Sequence, residues 1–391
     1  MNGPFSPGCL AGDAAAPVRI LMTADASAGV WTYTMELARA LQPGGGQILL
    51  AVMGPALSPA QRAEAARLGH VQVREKPLAL EWMADPWRDV TRAGDWLLEL
   101  EARFAPGVIH LNHYCYGSLP WNAPVLIAAH GCVLSWWQAV HGEGSPQSWT
   151  RYHAEVAAGL RGANLVTAST QVMLEGLARL YAPIPRLLHS QSAPRFPEFQ
   201  VVPHGADAAR FRPLAKCPWI LCAGNAGEGA CNGDLLDAVA AELPWPVVWA
   251  VEGEPSGAWK HLQLLDARAD GAGMEPPFGR AAVFALPSRY EPFGFAPLHA
   301  ALAGCALVLG DIPSLRETWG DAAMYASPEE TPAFGTALRR MVEDAPLRET
   351  MAARARARAL EQTPQRMAEG MWTCYRSLLA PHAEALEAHA G

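Results

Sequence analysis

Residues 285–317, ALPSRYEPFGFAPLHAALAGCALVLGDIPSLRE, put a carboxylate where chemistry can use it. An apolar run ending at Leu286 is broken by Pro287, Arg289 and Tyr290, and Glu291 then stands directly before Pro292, Phe293 and Gly294. This order predicts a strand whose carboxyl end opens into a loop. Small and apolar residues from Phe295 to Gly304 predict a short helix. The first-turn N–H groups of a helix have no intrahelical partner, and free amides beside a loop suit an anion such as a phosphate. Glu291 offers oxygens to hydroxyl groups, or simply a cap to the next helix. A second buried strand follows over 305–309, and Gly310, Asp311 and Pro313 turn the chain into a further helix from Ser314.

Two other places carry candidate groups. His130, in VLIAAHGCVLSWW, lies just past a predicted strand end, where open α/β sheets place ligands; alone, such a histidine is as readily a hydrogen-bonded structural group. Gly29, in DASAGVWTY, is the natural close-approach glycine of the first loop. Tyr114, Tyr116, Trp121, Trp136 and Trp137 cluster around His130 in sequence, and their rings suit either a sugar or apolar acceptor or the core.

These groups need a scaffold, and the apolar runs describe one. Brief, non-alternating runs at 18–23, 47–52, 107–111, 125–129, 164–168 and 199–202 read as strands buried on both faces of a parallel sheet. Helical stretches at 31–41, 59–68, 88–104, 150–162 and 170–181 separate them, the alternation of an α/β fold. A second series of strands follows at 219–223, 246–250, 281–286, 306–309 and 323–325, with helices at 331–344, 346–361 and 364–379. The turn-rich segment 203–213, PHGADAARFRP, joins the two series.

With 391 residues, half of them apolar, the chain is long enough for two or three domains with large cores. A formal charge of −8 gives no basic footprint for nucleic acid or an anionic membrane. The first seventeen residues have no basic start and no continuous apolar core, so a disordered leader is expected in place of a signal peptide. No window reaches the ~18 unbroken apolar residues of a membrane span, and a cytoplasmic protein is expected. The eight cysteines lack paired C-x2-C spacing, which predicts buried free thiols and no metal site.

The run EPFGFAPLHAALAGCALVLGDIPSLRE resembles the donor-site motif of family-4 nucleotide-sugar glycosyltransferases, a retaining group with two Rossmann-like domains called the GT-B fold. The resemblance implies an acceptor domain over 18–205, a donor-nucleotide domain over 206–363, and a C-terminal helix within 364–391 that crosses back onto the first domain, after a leader over 1–17. It implies transfer from a nucleotide diphosphate sugar to a small-molecule or glycan acceptor, without metal or other cofactor, by a monomer or homodimer. Glu291 would hold donor-sugar hydroxyls and His130 would lie near the reacting centre. Gly29, Phe293, Gly294 and Phe295 would offer backbone contacts to the donor. The family carries a second Glu eight residues after the first; His299 stands there, as a neutral hydrogen-bonding imidazole, a protonated one near phosphate, or a packing residue. The Arg and Lys with which the family grips the diphosphate are replaced by Asn225 and Cys231, so Arg316, Arg289 or Lys260 is expected to supply positive charge. If none does, the chain is a non-catalytic binding protein of the same fold, or an enzyme with an atypical activated donor.

Overall fold

The computed structural model describes residues 17–182, 197–225, 229–252, 258–266 and 274–390. The leader expected over 1–17 lies outside the described residues except for Pro17. The first unit runs β1 (Arg19–Asp25), α1 (Ala28–Leu41), β2 (Gln47–Met53), α2 (Pro59–Ala66), β3 (Val71–Glu75), α3 (Trp87–Phe104), β4 (Val108–Leu111), β5 (Val125–Ala129), α4 (Val133–His141), α5 (Thr150–Gly162), β6 (Leu165–Ala168), α6 (Gln171–Tyr181) and β7 (Glu198–Val201). The second runs β8 (Cys217–Asn225), α7 (Gly233–Ala240), β9 (Val247–Glu252), β10 (Leu262–Asp266), α8 (Glu275–Arg280), β11 (Ala281–Leu286), α9 (Phe295–Leu302), β12 (Ala306–Gly310), α10 (Pro313–Trp319), β13 (Met324–Ala326), α11 (Thr331–Glu343) and α12 (Ala345–Leu360). The last helix, α13 (Pro364–Ala390), follows.

Each unit is built on one parallel sheet. The first has the order β3-β2-β1-β4-β5-β6-β7 and the second β10-β9-β8-β11-β12-β13. The strand order reverses beside β1 in one sheet and beside β8 in the other, and such switch points open a crevice at the carboxyl ends of the strands. Burial on both faces explains the unbroken apolar strands. Leu21 of β1 packs into the core beneath α3 and α5, while its neighbours Ile20 and Met22 pack into the opposite core with Tyr33 and Leu37 of α1. Two edge strands, β3 and β10, were not among the predicted runs. Their sequences VQVRE and LQLLD carry polar residues among the apolar ones, and most of their side chains are half-buried or exposed, unlike those of the central strands.

Helix α13 leaves the second unit and packs on the first, as the GT-B resemblance implies. Met367, Ala368, Met371, Trp372, Cys374 and Tyr375 form its buried stripe and join the core of β1 and α1, at the spacing of one helical face. The two chain crossings lie side by side: Ala206 N donates to Gln362 O at 3.2 Å.

Helix α5 meets the 115–118 turn backbone to backbone. A Cβ built on Gly159 would stand 1.8 Å from Tyr114 O, and one on Gly162 2.3 Å from Gly117 O. Gly159→Ala is therefore expected to destabilise the protein by about 3 kcal/mol or more, the upper range for overpacking. An unchanged urea midpoint for that variant would refute the close contact.

Candidate functional site

A cleft of about 870 Å³ lies where the carboxyl ends of the two sheets face each other. Ser27 and Gly29 after β1, His130 after β5, Gly224 in β8, Leu286 at the end of β11 and the 290–296 loop all line it. Among the described residues no group of three or more His, Cys, Asp and Glu could hold a metal ion.

Glu291 lines this cleft from the loop between β11 and α9. The loop is fixed at both ends. Glu291 O accepts from Ser314 Oγ at 2.5 Å, and Gly294 takes φ +92°, the left-handed region that favours glycine. The Glu291 stem also packs near Gly294, since an added Cβ there would lie 3.5 Å from Glu291 Cγ. Gly294 is the N-cap of α9, no side chain caps this helix, and its first turn carries no acid. Phe295 and Ala296 of this first turn line the same cleft, and first-turn amides have no intrahelical partner.

His130 is held by a network that fixes its proton. Asn112 Nδ2 donates to Thr23 O at 2.6 Å, which turns Asn112 Oδ1 toward His130 Nε2 at 2.8 Å. A carboxamide oxygen only accepts, so Nε2 carries the ring proton and Nδ1 remains an acceptor. Burial pushes His130 down to about 4; Asp25 opposes this and His113 adds to it. Asp25 and His113 are both fully buried, 3.3 Å apart. Burial works to raise the Asp25 pKa, but His113 and Ser27 outweigh it and hold the carboxyl below its usual range.

Two further imidazoles border the cleft. His299 stacks on Phe211 at 3.8 Å and 8° and meets Phe278 edge-on at 5.8 Å. Burial, with Arg210 adding to it, pushes it down to about 3. Burial, with the Arg210 guanidinium adding to it, thus disfavours the protonated alternative. His204 is 6% exposed, stacks on Phe295 at 5.2 Å and packs 4.7 Å from Tyr33. Burial, then His130, holds its pKa well below the ordinary value. Tyr33 reaches His130 edge-on at 4.4 Å, and its hydroxyl lies 3.4 Å from the buried His110.

The expected cations are placed differently. Arg316 is absent from the cleft lining; it binds Asp311 at 2.5 and 2.8 Å and lies over Tyr325 at 4.3 Å. Arg289 pairs with Glu329 at 2.7 Å, and neither it nor Lys260 lines the cleft. Among the described residues the two that do, Arg39 and Arg210, came from segments read as a helix and a turn-rich join. Arg210 bridges Glu36 and Glu275 at 3.0 Å each, and Arg39 binds Glu36 at 3.0 Å and also Glu64. Cys231 lines the cleft. Asn225 ends β8, but its side chain lies outside the described residues.

Gly29 has open space around it: an added Cβ would meet nothing within 4 Å. Gly29→Ala should leave the unfolding midpoint unchanged or raised while weakening any ligand whose backbone contact needs the gap, which a thermal-shift titration of both proteins would show. Of the aromatic cluster, Trp136 lines the cleft and Tyr114 and Tyr116 belong to the core. His204 and Arg210 were the main omissions from the sequence reading. Both sit in 203–213, where glycine and proline mark a turn and nothing local shows that the turn faces a cleft.

Several contacts join the two sides. Cys132 N donates to Tyr290 Oη at 3.0 Å, Thr170 Oγ1 donates to Pro292 O at 3.2 Å, and Glu317 accepts from Gln171 N and Val172 N at 2.6 and 2.9 Å.

Two family models match the chain, "Glycosyl transferase 4-like domain" over residues 28–189 and "Glycosyl transferases group 1" over residues 277–358. Among curated proteins, glycogen synthase of Mycobacterium tuberculosis is 38% identical over 190 residues, 43% of this chain and 44% of that protein. O-antigen chain mannosyltransferase B of Escherichia coli is 34% identical over 82 residues, 21% of this chain and 22% of that protein. The chain thus spans less than half the length of these relatives. Among solved structures, sucrose-phosphate synthase of Thermosynechococcus elongatus superposes with a TM-score of 0.73 at 16% identity, over 93% of this chain and all of that one. Anabaena HepE in complex with UDP and glucose gives 0.68 at 14%, over 92% of this chain and all of that one. At such identities the likeness shows the GT-B fold.

Proposed function

Since the chain belongs to the group 1 glycosyltransferases of GT-B fold, we propose that it moves a sugar from a nucleotide diphosphate sugar to an acceptor hydroxyl with retention of configuration. The observation that carries this is the division of hydrogen-bonding character along one cleft. His130 Nδ1 only accepts, and so does an ionised Glu291 carboxylate; both suit the hydroxyls of a sugar and repel phosphate oxygens. The uncapped start of α9, a few residues from Glu291, only donates and suits the phosphate.

In this proposal Glu291 and His130 orient the sugar, and the carboxylate stabilises positive charge as it builds on the anomeric carbon. The bond from that carbon to the diphosphate oxygen breaks and the bond to the acceptor oxygen forms. The acceptor proton leaves with the diphosphate. Phe293, Gly294 and Phe295 contribute backbone at the donor, and His299, neutral, offers a hydrogen bond to a nucleotide hydroxyl. Trp136 provides an aromatic face beside His130. The activity requires no metal or other cofactor in this scheme.

One observation favours a second reading, a GT-B protein that binds without transferring, or one whose donor is not a diphosphate. Among the described residues both cations lining the cleft, Arg39 and Arg210, are already engaged by carboxylates. Charged hydrogen bonds contribute about 1.5–3 kcal/mol each, so a diphosphate served only by amides is held more weakly. Titrating UDP, GDP and ADP with their common sugars against thermal stability separates the cases, because ligand at 100 times its dissociation constant stabilises by about 2.7 kcal/mol. Indifference to every nucleotide would overturn the transferase assignment.

A further inference from the structure

We propose that Tyr290 is a positioning residue: its hydroxyl ties the loop that carries Glu291 to the loop that carries His130, and, beside the Thr170 contact to Pro292 O, it is the tie that reaches the His130 loop itself. The proposal rests on the transferase reading above and adds a role that the residue's place before Glu291 does not itself disclose.

The geometry is specific. Tyr290 comes from the second sheet and adjoins Glu291; Cys132 comes from the first and lies two residues past His130. The Cys132 N–H donates to Tyr290 Oη at 3.0 Å across the cleft. The Tyr290 ring closes over the same loop, with Oη 3.7 Å from the place of a Cβ on Gly131. The His130 loop is gripped from its own side as well, by Tyr114 Oη donating to Gly131 O at 2.8 Å and Tyr152 Oη accepting from Val133 N at 3.3 Å. Three consecutive residues of this loop thus each have a tyrosine hydroxyl partner, and only the Tyr290 contact comes from the other domain. A backbone held this way moves little, and sub-ångström placement of orienting groups is where such a tie acts on rate.

Tyr290 differs in this from Glu317, which caps the first two amides of α6 from the other domain but touches neither loop. Loss of Glu317 weakens closure alone. Loss of the Tyr290 hydroxyl misplaces Glu291 relative to His130 even when the domains are closed.

The test compares wild type, Tyr290→Phe and Glu317→Gln. Amide hydrogen exchange of the unliganded proteins comes first: Tyr290→Phe, which keeps the ring, should speed exchange in the peptide containing Cys132 with no more than the small fall in unfolding midpoint that one lost hydrogen bond brings. Next, thermal shifts are taken with UDP alone and with UDP-glucose, and with the GDP and ADP pairs. Wild type should gain more from the nucleotide sugar than from its nucleotide; Tyr290→Phe should keep the nucleotide response and lose most of the sugar increment. In nucleotide release, turnover at saturating donor should fall about fivefold to tenfold in Tyr290→Phe, the span of one hydrogen bond, with little change in KM. Glu317→Gln should raise KM and leave turnover near wild type. If wild type responds to no nucleotide, the transferase reading falls and this inference with it. If wild type responds but Tyr290→Phe matches it, or shows only the raised KM of Glu317→Gln, Tyr290 is no more than a closing contact and the inference alone is overturned.

Discussion

Acidification from pH 7.5 to pH 5 is expected to remove roughly 5–8 kcal/mol of folding stability. Four histidines carry the effect. Burial holds His110 and His299 at about 3 and His130 at about 4, and holds His204 well below its ordinary value. Unfolded, each titrates near 6.5, so below that pH the unfolded chain binds protons that the folded protein refuses. Stability therefore falls with pH, and at pH 5 each group contributes a loss of about 2 kcal/mol, less for the partly exposed His130 and His299. Asp25 acts in a separate window: its folded pKa lies below 3.8, so its stabilisation is complete above the unfolded value and fades only beneath about pH 4. Typical domains have about 5–15 kcal/mol in total, so the expected loss is a large share of it. Urea midpoints across this range should drop steeply, and less steeply for His299→Phe; a flat profile would show that these imidazoles take up protons without unfolding.

Replacing Glu291 is expected to have the largest effect on activity. Glu291→Gln should lower kcat/KM by about two to four powers of ten, the loss of two charged hydrogen bonds at about 1.5–3 kcal/mol each. Because the carboxylate is assigned to the sugar and the amides of α9 to the phosphate, the thermal response to UDP, GDP or ADP alone should survive. A variant that turns over normally, or one that loses nucleotide binding with activity, would place Glu291 elsewhere in the scheme.

The sequence disclosed the parts of this site that are local. Glu291, Gly294 and the start of α9 lie within a dozen residues, and their order already implies a strand, a loop and a helix start. His130 was visible because an apolar run stops just before it. The architecture was legible for a related reason: strands buried on both faces leave unbroken apolar runs, whereas β3 and β10, whose side chains are mostly half-buried or exposed, do not. What escaped notice was long-range. The burial of His299 depends on Phe211 and Phe278, which come from other segments of the chain. Arg316 was read as a phosphate ligand because it adjoins the motif, yet Asp311, five residues earlier and on the same surface, claims its guanidinium. Arg210 and His204 are cleft residues only because the join between domains passes the cleft floor.

Helix α13 has a consequence for how the molecule is made. Ribosomes deliver the amino-terminal half first, and domains generally fold as they emerge. Here one flank of that half, including Ile20, Met22 and Leu37, waits for Met371, Trp372 and Tyr375 to cover it. The nascent first unit must hold an uncovered greasy face until the residues of α13 have been translated, so a premature stop after Leu360 releases a chain prone to aggregation, with its motif residues intact and its first unit unfinished.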